Sequence, residues 1–342
     1  MKLLSACLAS LILVTSVQAA EPPMVLAYYS GSRNNYQSLT RYYTYFNAVS
    51  MDFHITNDGT VIGNGAPDPA DAIAFLQSKN IPTYGSVANF DTKWNSSTAH
   101  DIIYTNLNKA VSSLVAFAQA NQFAGINIDF EAVPQGDRDN FSNFAQVLGR
   151  ELHANGLKLI ISVPAFSATD AAHPYNYAYD LRALGAAVDY LQIMTYDEAI
   201  PSWDPGPVAS SAWMERDLDY AVSLVPATKI LNGIPAYGYN WRADNSGSQL
   251  PWFATDSLIS TYGITPIYDV GSNSVKFTYV ANDGSGTHTV WTENARSVAI
   301  KAGLVNSYGL GGTSMYALGM EDVRFWMALK SGLDGSGQKD SN

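Results

Sequence analysis

The run Gly125-Ile126-Asn127-Ile128-Asp129-Phe130-Glu131 alternates apolar and polar residues with the period of a β-strand. Asn127, Asp129 and Glu131 therefore share one face, and Ile126, Ile128 and Phe130 share the other. Where the polar face is buried, two neighbouring carboxyls cannot both ionise, so one proton is held above its ordinary pKa and is available for donation. General acid catalysis is the chemistry such a pair offers. The plainer reading is that the acids cap a helix or pair with an arginine, and Asp-x-Glu alone does not separate the two. Other chemistries leave weaker traces. His54, His100, His153, His173 and His288 are scattered without metal-ligand spacing, so no metal and no cofactor are expected. No G-x-S-x-G turn marks a serine nucleophile. Trp203, Trp241, Trp252 and Trp291 could stack on sugars, or could equally anchor loops and core.

The elements that must position this strand are regular. Short β-rich segments alternate with longer helical stretches at Val25–Tyr29, Ala48–Phe53, Thr83–Ala88, Gly125–Phe130, Lys158–Val163, Tyr190–Met194, Lys229–Ile234 and Gly311–Tyr316. Eight such strands predict an α/β fold, a (β/α)8 TIM barrel, with the acids at the carboxyl end of the fourth strand, where such barrels build their sites. An open doubly wound sheet is the alternative, but no Gly-rich strand-to-helix turn of the dinucleotide or phosphate kind accompanies it. Apolar residues at three- and four-residue spacing predict outer helices over Asp68–Lys79, Asp101–Asn121, Asp137–Asn155 and Met214–Leu224. Between strands seven and eight, Asn273–Thr292 alternates around a Gly-containing turn and predicts a β-hairpin within an insertion at about residues 245–292. A single catalytic barrel over residues 22–330 is expected, followed by a flexible tail at 331–342.

Composition narrows the partners. Lys plus Arg number 19 against 30 Asp plus Glu, a formal charge of −11, with no basic run. Nucleic acid is therefore excluded as an expected partner, since binding it requires clustered cations. A neutral polysaccharide meets no such barrier. Residues 1–19 read as a signal peptide: Lys2 leads into an apolar stretch from Leu8 to Val14, and Val17-Gln18-Ala19 offers small residues for cleavage. Cys7 falls inside that segment, so the mature chain carries no cysteine. A secreted or periplasmic bacterial protein is expected, with no membrane span and as a monomer.

The segment from Phe123 to Glu131 resembles the D-x-x-D-x-D-x-E signature of glycoside hydrolase family 18, the chitinase family, with its last two acids in place. Tyr190-Leu191-Gln192-Ile193-Met194-Thr195-Tyr196-Asp197 resembles the family's strand-six M-x-Y-D motif. Ile234–Trp241 resembles its strand-seven segment and Gly309–Gly319 its eighth strand, so the likeness covers about Val25 to Trp326. Asn127, Pro207 and Thr195-Tyr196-Asp197-Glu198 are most similar to the branch containing spore-cortex-lysing peptidoglycan N-acetylglucosaminidases.

The resemblance implies a retaining glycosidase that cleaves β-1,4 bonds next to N-acetylglucosamine in peptidoglycan or chitin-type glycans, an amino-sugar polysaccharide or oligosaccharide. It implies that the substrate supplies the nucleophile, an exception to the two-carboxylate scheme. Glu131 would donate the proton, Asp129 would orient the 2-acetamido group, and Tyr196 would hydrogen-bond its oxygen. Asn127, Asp197, Tyr237, Tyr316 and Met194 would line the sugar. Ala124 and Asn127 replace the first two acids of the signature, which leaves the pair with a neutral neighbour that can still hydrogen-bond Asp129 and implies an altered pH profile. Tyr316 stands where many members have a tryptophan floor. Members that keep the barrel and lose the acid make a non-catalytic chitinase-like sugar-binding protein the alternative, and Glu131 argues against it.

Overall fold

A computed structural model describes residues 22–67 and 69–335. The expected signal peptide lies outside the described residues, as do residues 336–342. Eight parallel strands close into a barrel: Met24–Tyr29, Ala48–Ile55, Thr83–Ala88, Gly125–Asp129, Lys158–Pro164, Tyr190–Met194, Ile230–Pro235 and Gly312–Tyr316, with the first pairing both the second and the eighth. This is the expected (β/α)8 barrel.

The fourth strand shows why the sheet closes as it does. Ile126 and Ile128 are fully buried against the helix layer, each contributing about 1.5–3 kcal/mol. Phe130 continues this face into a stack with Phe141 and Phe144, centroids 6.3 and 5.9 Å away. Those two rings come from the helix Arg138–Ala154, whose buried residues Phe141, Phe144, Ala145, Leu148 and Leu152 follow the helical period. Gly125 admits the fifth strand, because a Cβ there would lie 2.0 Å from the Lys158 carbonyl oxygen.

Several boundaries differ from the sequence reading. The helix expected over Asp101–Asn121 has a wide first turn, Asp101–Thr105, closed by the Asn106 N–H on the Asp101 carbonyl at 2.6 Å, before Leu107–Ala120. Helices Arg33–Tyr42, Leu181–Ala187 and Ala295–Tyr308 were not legible. The helix Val323–Leu333 runs into the segment expected to be tail, so Ser331–Leu333 are helical. The hairpin is present as Ser274–Val280 and Thr287–Thr292, but it belongs to a five-stranded antiparallel sheet that also takes in Tyr237–Arg242, Gly247–Pro251 and Ile267–Asp269. That sheet therefore starts at Tyr237, two residues after the seventh barrel strand ends, and not near residue 245. Val275, Phe277, Tyr279 and Val290 give it a small core of its own.

Candidate active site

Six strands send one polar side chain each into the barrel interior and join them by hydrogen bonds. The Asn127 amide donates to the Tyr28 hydroxyl at 2.9 Å and to the Ser50 hydroxyl at 3.1 Å. Its carbonyl accepts from Ser162 at 3.2 Å, Tyr28 donates to Gln192 at 3.3 Å, and Gln192 donates to Ser314 at 3.0 Å. All six are buried, so full pairing is what makes such a layer tolerable. Asn127 is thus a member of the barrel floor. The expected hydrogen bond from Asn127 to Asp129 is absent, because the amide is fully used by Tyr28 and Ser50, and Asp129 Oδ1 is buried without a partner.

Asp129 and Glu131 stand above this floor at the carboxyl end of the fourth strand. Burial, and then the neighbouring Asp52, push the Asp129 carboxyl up to about 7. Burial, then the charge of Asp129 and that of Asp197, push Glu131 up to about 8, while a hydrogen bond from Tyr175 opposes the rise. Both effects favour the protonated form of Glu131, the state a proton donor needs. Its backbone is clamped by buried Asn89, whose side-chain oxygen accepts the Glu131 N–H at 2.9 Å and whose amide donates to the Glu131 carbonyl at 2.8 Å. The Tyr175 hydroxyl donates to Glu131 Oε2 at 2.6 Å.

The sixth strand brings the remaining polar groups. The Thr195 hydroxyl donates to the Gly233 carbonyl and accepts the Gly233 N–H, both at 2.8 Å, which locks the turn that presents Tyr196 and Asp197. Gly233 is required there, because a Cβ would lie 2.8 Å from both the Ile193 carbonyl oxygen and the Tyr196 ring. Asp197 has φ +66° and accepts hydrogen bonds at Oδ1 from Tyr237 at 2.6 Å and Tyr239 at 2.8 Å. It stays open to the cleft, yet the protein around it still raises its pKa by burial. Tyr196 stacks on Tyr316 at 5.8 Å, and Tyr237 meets both rings edge-on at 6.4 and 6.3 Å. Met194 ends the sixth strand, half-buried and level with Pro164.

Asp129, Glu131, Tyr196, Asp197, Tyr237 and Tyr316 thus converge on one cleft, whereas Asn127, expected to line the sugar, is fully buried in the floor with its amide and carbonyl spent on Tyr28, Ser50 and Ser162. Trp241 and Trp252 are buried and have no face to offer a ligand, whereas Trp203 is 56% exposed. Asp52, Asn89, Tyr175 and Tyr239 escaped the sequence reading. Among the described residues no group of three or more His, Cys, Asp or Glu side chains could hold a metal ion, and no helix is long and apolar enough to cross a membrane.

The model of the glycosyl hydrolases family 18 matches residues 88–321. A crystal structure described as a chitinase from Chromobacterium violaceum ATCC 12472 is 64% identical, covers 91% of this chain and 99% of its own, and superposes with a TM-score of 0.89. An uncharacterized glycosylase, YvbX, of Bacillus subtilis (strain 168) is 34% identical over 94% of this chain and 95% of its own length. The cortical fragment-lytic enzyme of the same organism is 27% identical over 84% of this chain and 67% of its own length.

Proposed function

Since the chain belongs to glycosyl hydrolase family 18, a family of glycosidases, we propose that it is an exported, retaining enzyme that cleaves β-1,4 bonds next to N-acetylglucosamine, with the substrate's own 2-acetamido group as the nucleophile. One observation carries the reading: Glu131, whose carboxyl burial and the charge of Asp129 push up to about 8, stands beside an Asp129 whose buried Oδ1 has no partner among the described residues. Both come from one face of one strand, so Asp129 is on the same side of the sugar as the acid. A carboxylate nucleophile has to attack from the opposite side. The role of an N–H acceptor, by contrast, fits the position and the unengaged lone pairs of Oδ1.

Glu131 gives its proton to the glycosidic oxygen as the acetamido carbonyl oxygen attacks the anomeric carbon and the leaving sugar departs. Asp129 accepts the acetamido N–H and stabilises the positive charge of the resulting oxazolinium ring, a preorganised electrostatic role. The Tyr196 hydroxyl holds the acetamido oxygen on line for attack. Asp197, steadied by Tyr237 and Tyr239, holds the sugar from the sixth strand. Glu131, now a carboxylate, takes a proton from the water that opens the ring and returns to its starting state. Tyr316, stacked on Tyr196, forms the floor beneath the sugar.

A chitin-type chain is the favoured substrate. The relative described as a chitinase is 64% identical, against 27% for the cortical fragment-lytic enzyme. Residues 1–19 would direct export to the periplasm or beyond, where such glycans are met. The test is a side-by-side digest of chitooligosaccharides and purified peptidoglycan fragments. Release of N-acetylglucosamine oligomers from the former supports the reading; release from peptidoglycan alone moves the substrate to the cell wall. Binding without turnover of either would make the protein a lectin.

A further inference from the structure

The proton donor is fixed from two other parts of the fold. Asn89 follows the third barrel strand, is fully buried, and holds the Glu131 N–H at 2.9 Å and the Glu131 carbonyl at 2.8 Å. Its amide also donates to the Asn95 carbonyl at 3.0 Å, so Asn89 is itself held. With the backbone pinned, the acid keeps only its side-chain torsions, and the last of these is broad in a glutamate. Turning about that bond exchanges Oε1 and Oε2 and misdirects the proton. The Tyr175 hydroxyl, which donates to Oε2 at 2.6 Å, opposes the turn.

This hydrogen bond has a fixed direction. Ala132 has a left-handed backbone, φ +51°, uncommon for a residue with a Cβ, and its N–H bonds to the same hydroxyl. A phenol oxygen that accepts this N–H keeps its own proton for Oε2. The loop that carries Tyr175 is anchored at Arg138, whose guanidinium donates to the Tyr177 carbonyl at 2.5 Å, pairs with Asp180 at 2.7 Å and lies 4.9 Å from the centre of the Tyr177 ring. Arg138 begins the helix that follows the fourth strand, so acid and phenol are both referred to that helix. Asp129, Asp197, Tyr175, Tyr179 and Tyr316 are the titratable groups that face Glu131, and none of them is cationic.

We propose that Tyr175 is a positioning residue for the acid: its hydroxyl holds Oε2 as the acceptor, which leaves the proton on Oε1 and makes Oε1 the atom that delivers it to the glycosidic oxygen. The inference rests on the acetamido-assisted reading above. As the bond from the anomeric carbon to that oxygen breaks, the proton passes from Oε1 to the leaving sugar and its electron pair stays on the carboxylate. The negative charge spreads to Oε2, where the Tyr175 hydroxyl meets it with a charge-assisted hydrogen bond. When water opens the oxazolinium ring, its proton returns to Oε1. Tyr175 keeps its own proton throughout.

The test compares wild type with Tyr175→Phe, which keeps the ring and the loop, in kcat/KM on two substrates. A chitooligosaccharide has a sugar leaving group that needs the proton; a dinitrophenyl chitobioside has one that departs without it. The variant should lose at least about tenfold on the oligosaccharide and stay within about twofold of wild type on the dinitrophenyl substrate. The descending limb of kcat/KM against pH, which reports the free acid, should move to higher pH on the oligosaccharide, because the hydroxyl that favours the carboxylate is gone. A merely structural role for Tyr175 would lower both substrates alike and leave the limb in place. Equal losses on the two substrates, no loss on either, or an unmoved limb therefore overturns the proposal while the functional reading stands. Absence of hydrolysis of both substrates by wild type would sink the functional reading, and the proposal with it.

Discussion

Replacing Asp129 with asparagine should make the protein more stable at pH 8 while destroying its activity. The carboxyl is raised from its ordinary 3.8 to about 7, chiefly by burial. A group that holds its proton more tightly in the folded state favours folding below its unfolded pKa, and this advantage is lost as pH rises through the folded one. The cost of the charge is therefore absent below about pH 4, grows between 3.8 and about 7, and is complete above that. At about 1.4 kcal/mol for each tenfold change in proton affinity, the shift corresponds to at most about 4 kcal/mol. Access of water from the cleft screens part of this, so about 2 kcal/mol is expected. Asparagine does not titrate and escapes the cost. Urea unfolding of wild type and Asp129→Asn at pH 4 and pH 8 measures it: the two should nearly coincide at pH 4 and separate in the variant's favour at pH 8. A variant less stable at pH 8, or a difference that does not change with pH, would refute the claim that the site is held under electrostatic strain.

Two further substitutions probe the supports of the cleft. Tyr175→Phe removes the hydroxyl that lowers the Glu131 pKa, so the descending limb of kcat against pH should move to higher pH; a limb that moves down counts against Tyr175 as a donor to the acid. Gly233→Ala puts a methyl 2.8 Å from the Ile193 carbonyl oxygen and the Tyr196 ring. It should cost about 1–3 kcal/mol in unfolding free energy and at least about tenfold in kcat, and wild-type kcat in that variant would show that Tyr196 need not be fixed.

The barrel was legible because each strand is a short apolar run with helices between. In the fourth strand, alternation alone separated the packing isoleucines from the acids, and the motif around Tyr196 and Asp197 located the opposite half of the site. What escaped has physical reasons. Asp52 is a single acid between Ser50 and His54 on its strand, with no second carboxyl beside it in the sequence to mark it. Tyr175 reaches Glu131 from a loop, where no period constrains position. Asn89 acts through the backbone of Glu131, a role no motif records. Arg33–Tyr42 has few apolar residues, and its start is fixed by a capping box between Ser32 and Asn35. Ala295–Tyr308 buries Lys301, which reads as a surface residue until Glu293 is found paired with it at 2.5 Å. The sheet that begins at Tyr237 was placed too late because its first strand follows directly on the barrel strand, with no turn signal strong enough to part them.

The most direct test of acetamido-assisted catalysis compares two aryl glycosides that differ at the 2-position, the chitobioside and the cellobioside, with wild type and Glu131→Gln. The account predicts release of the aryl group from the acetamido sugar alone, faster than from its 2-hydroxy counterpart by orders of magnitude, and its loss in Glu131→Gln with binding retained. Comparable turnover of the cellobioside, or a glycosyl group trapped covalently on Asp129, would contradict it.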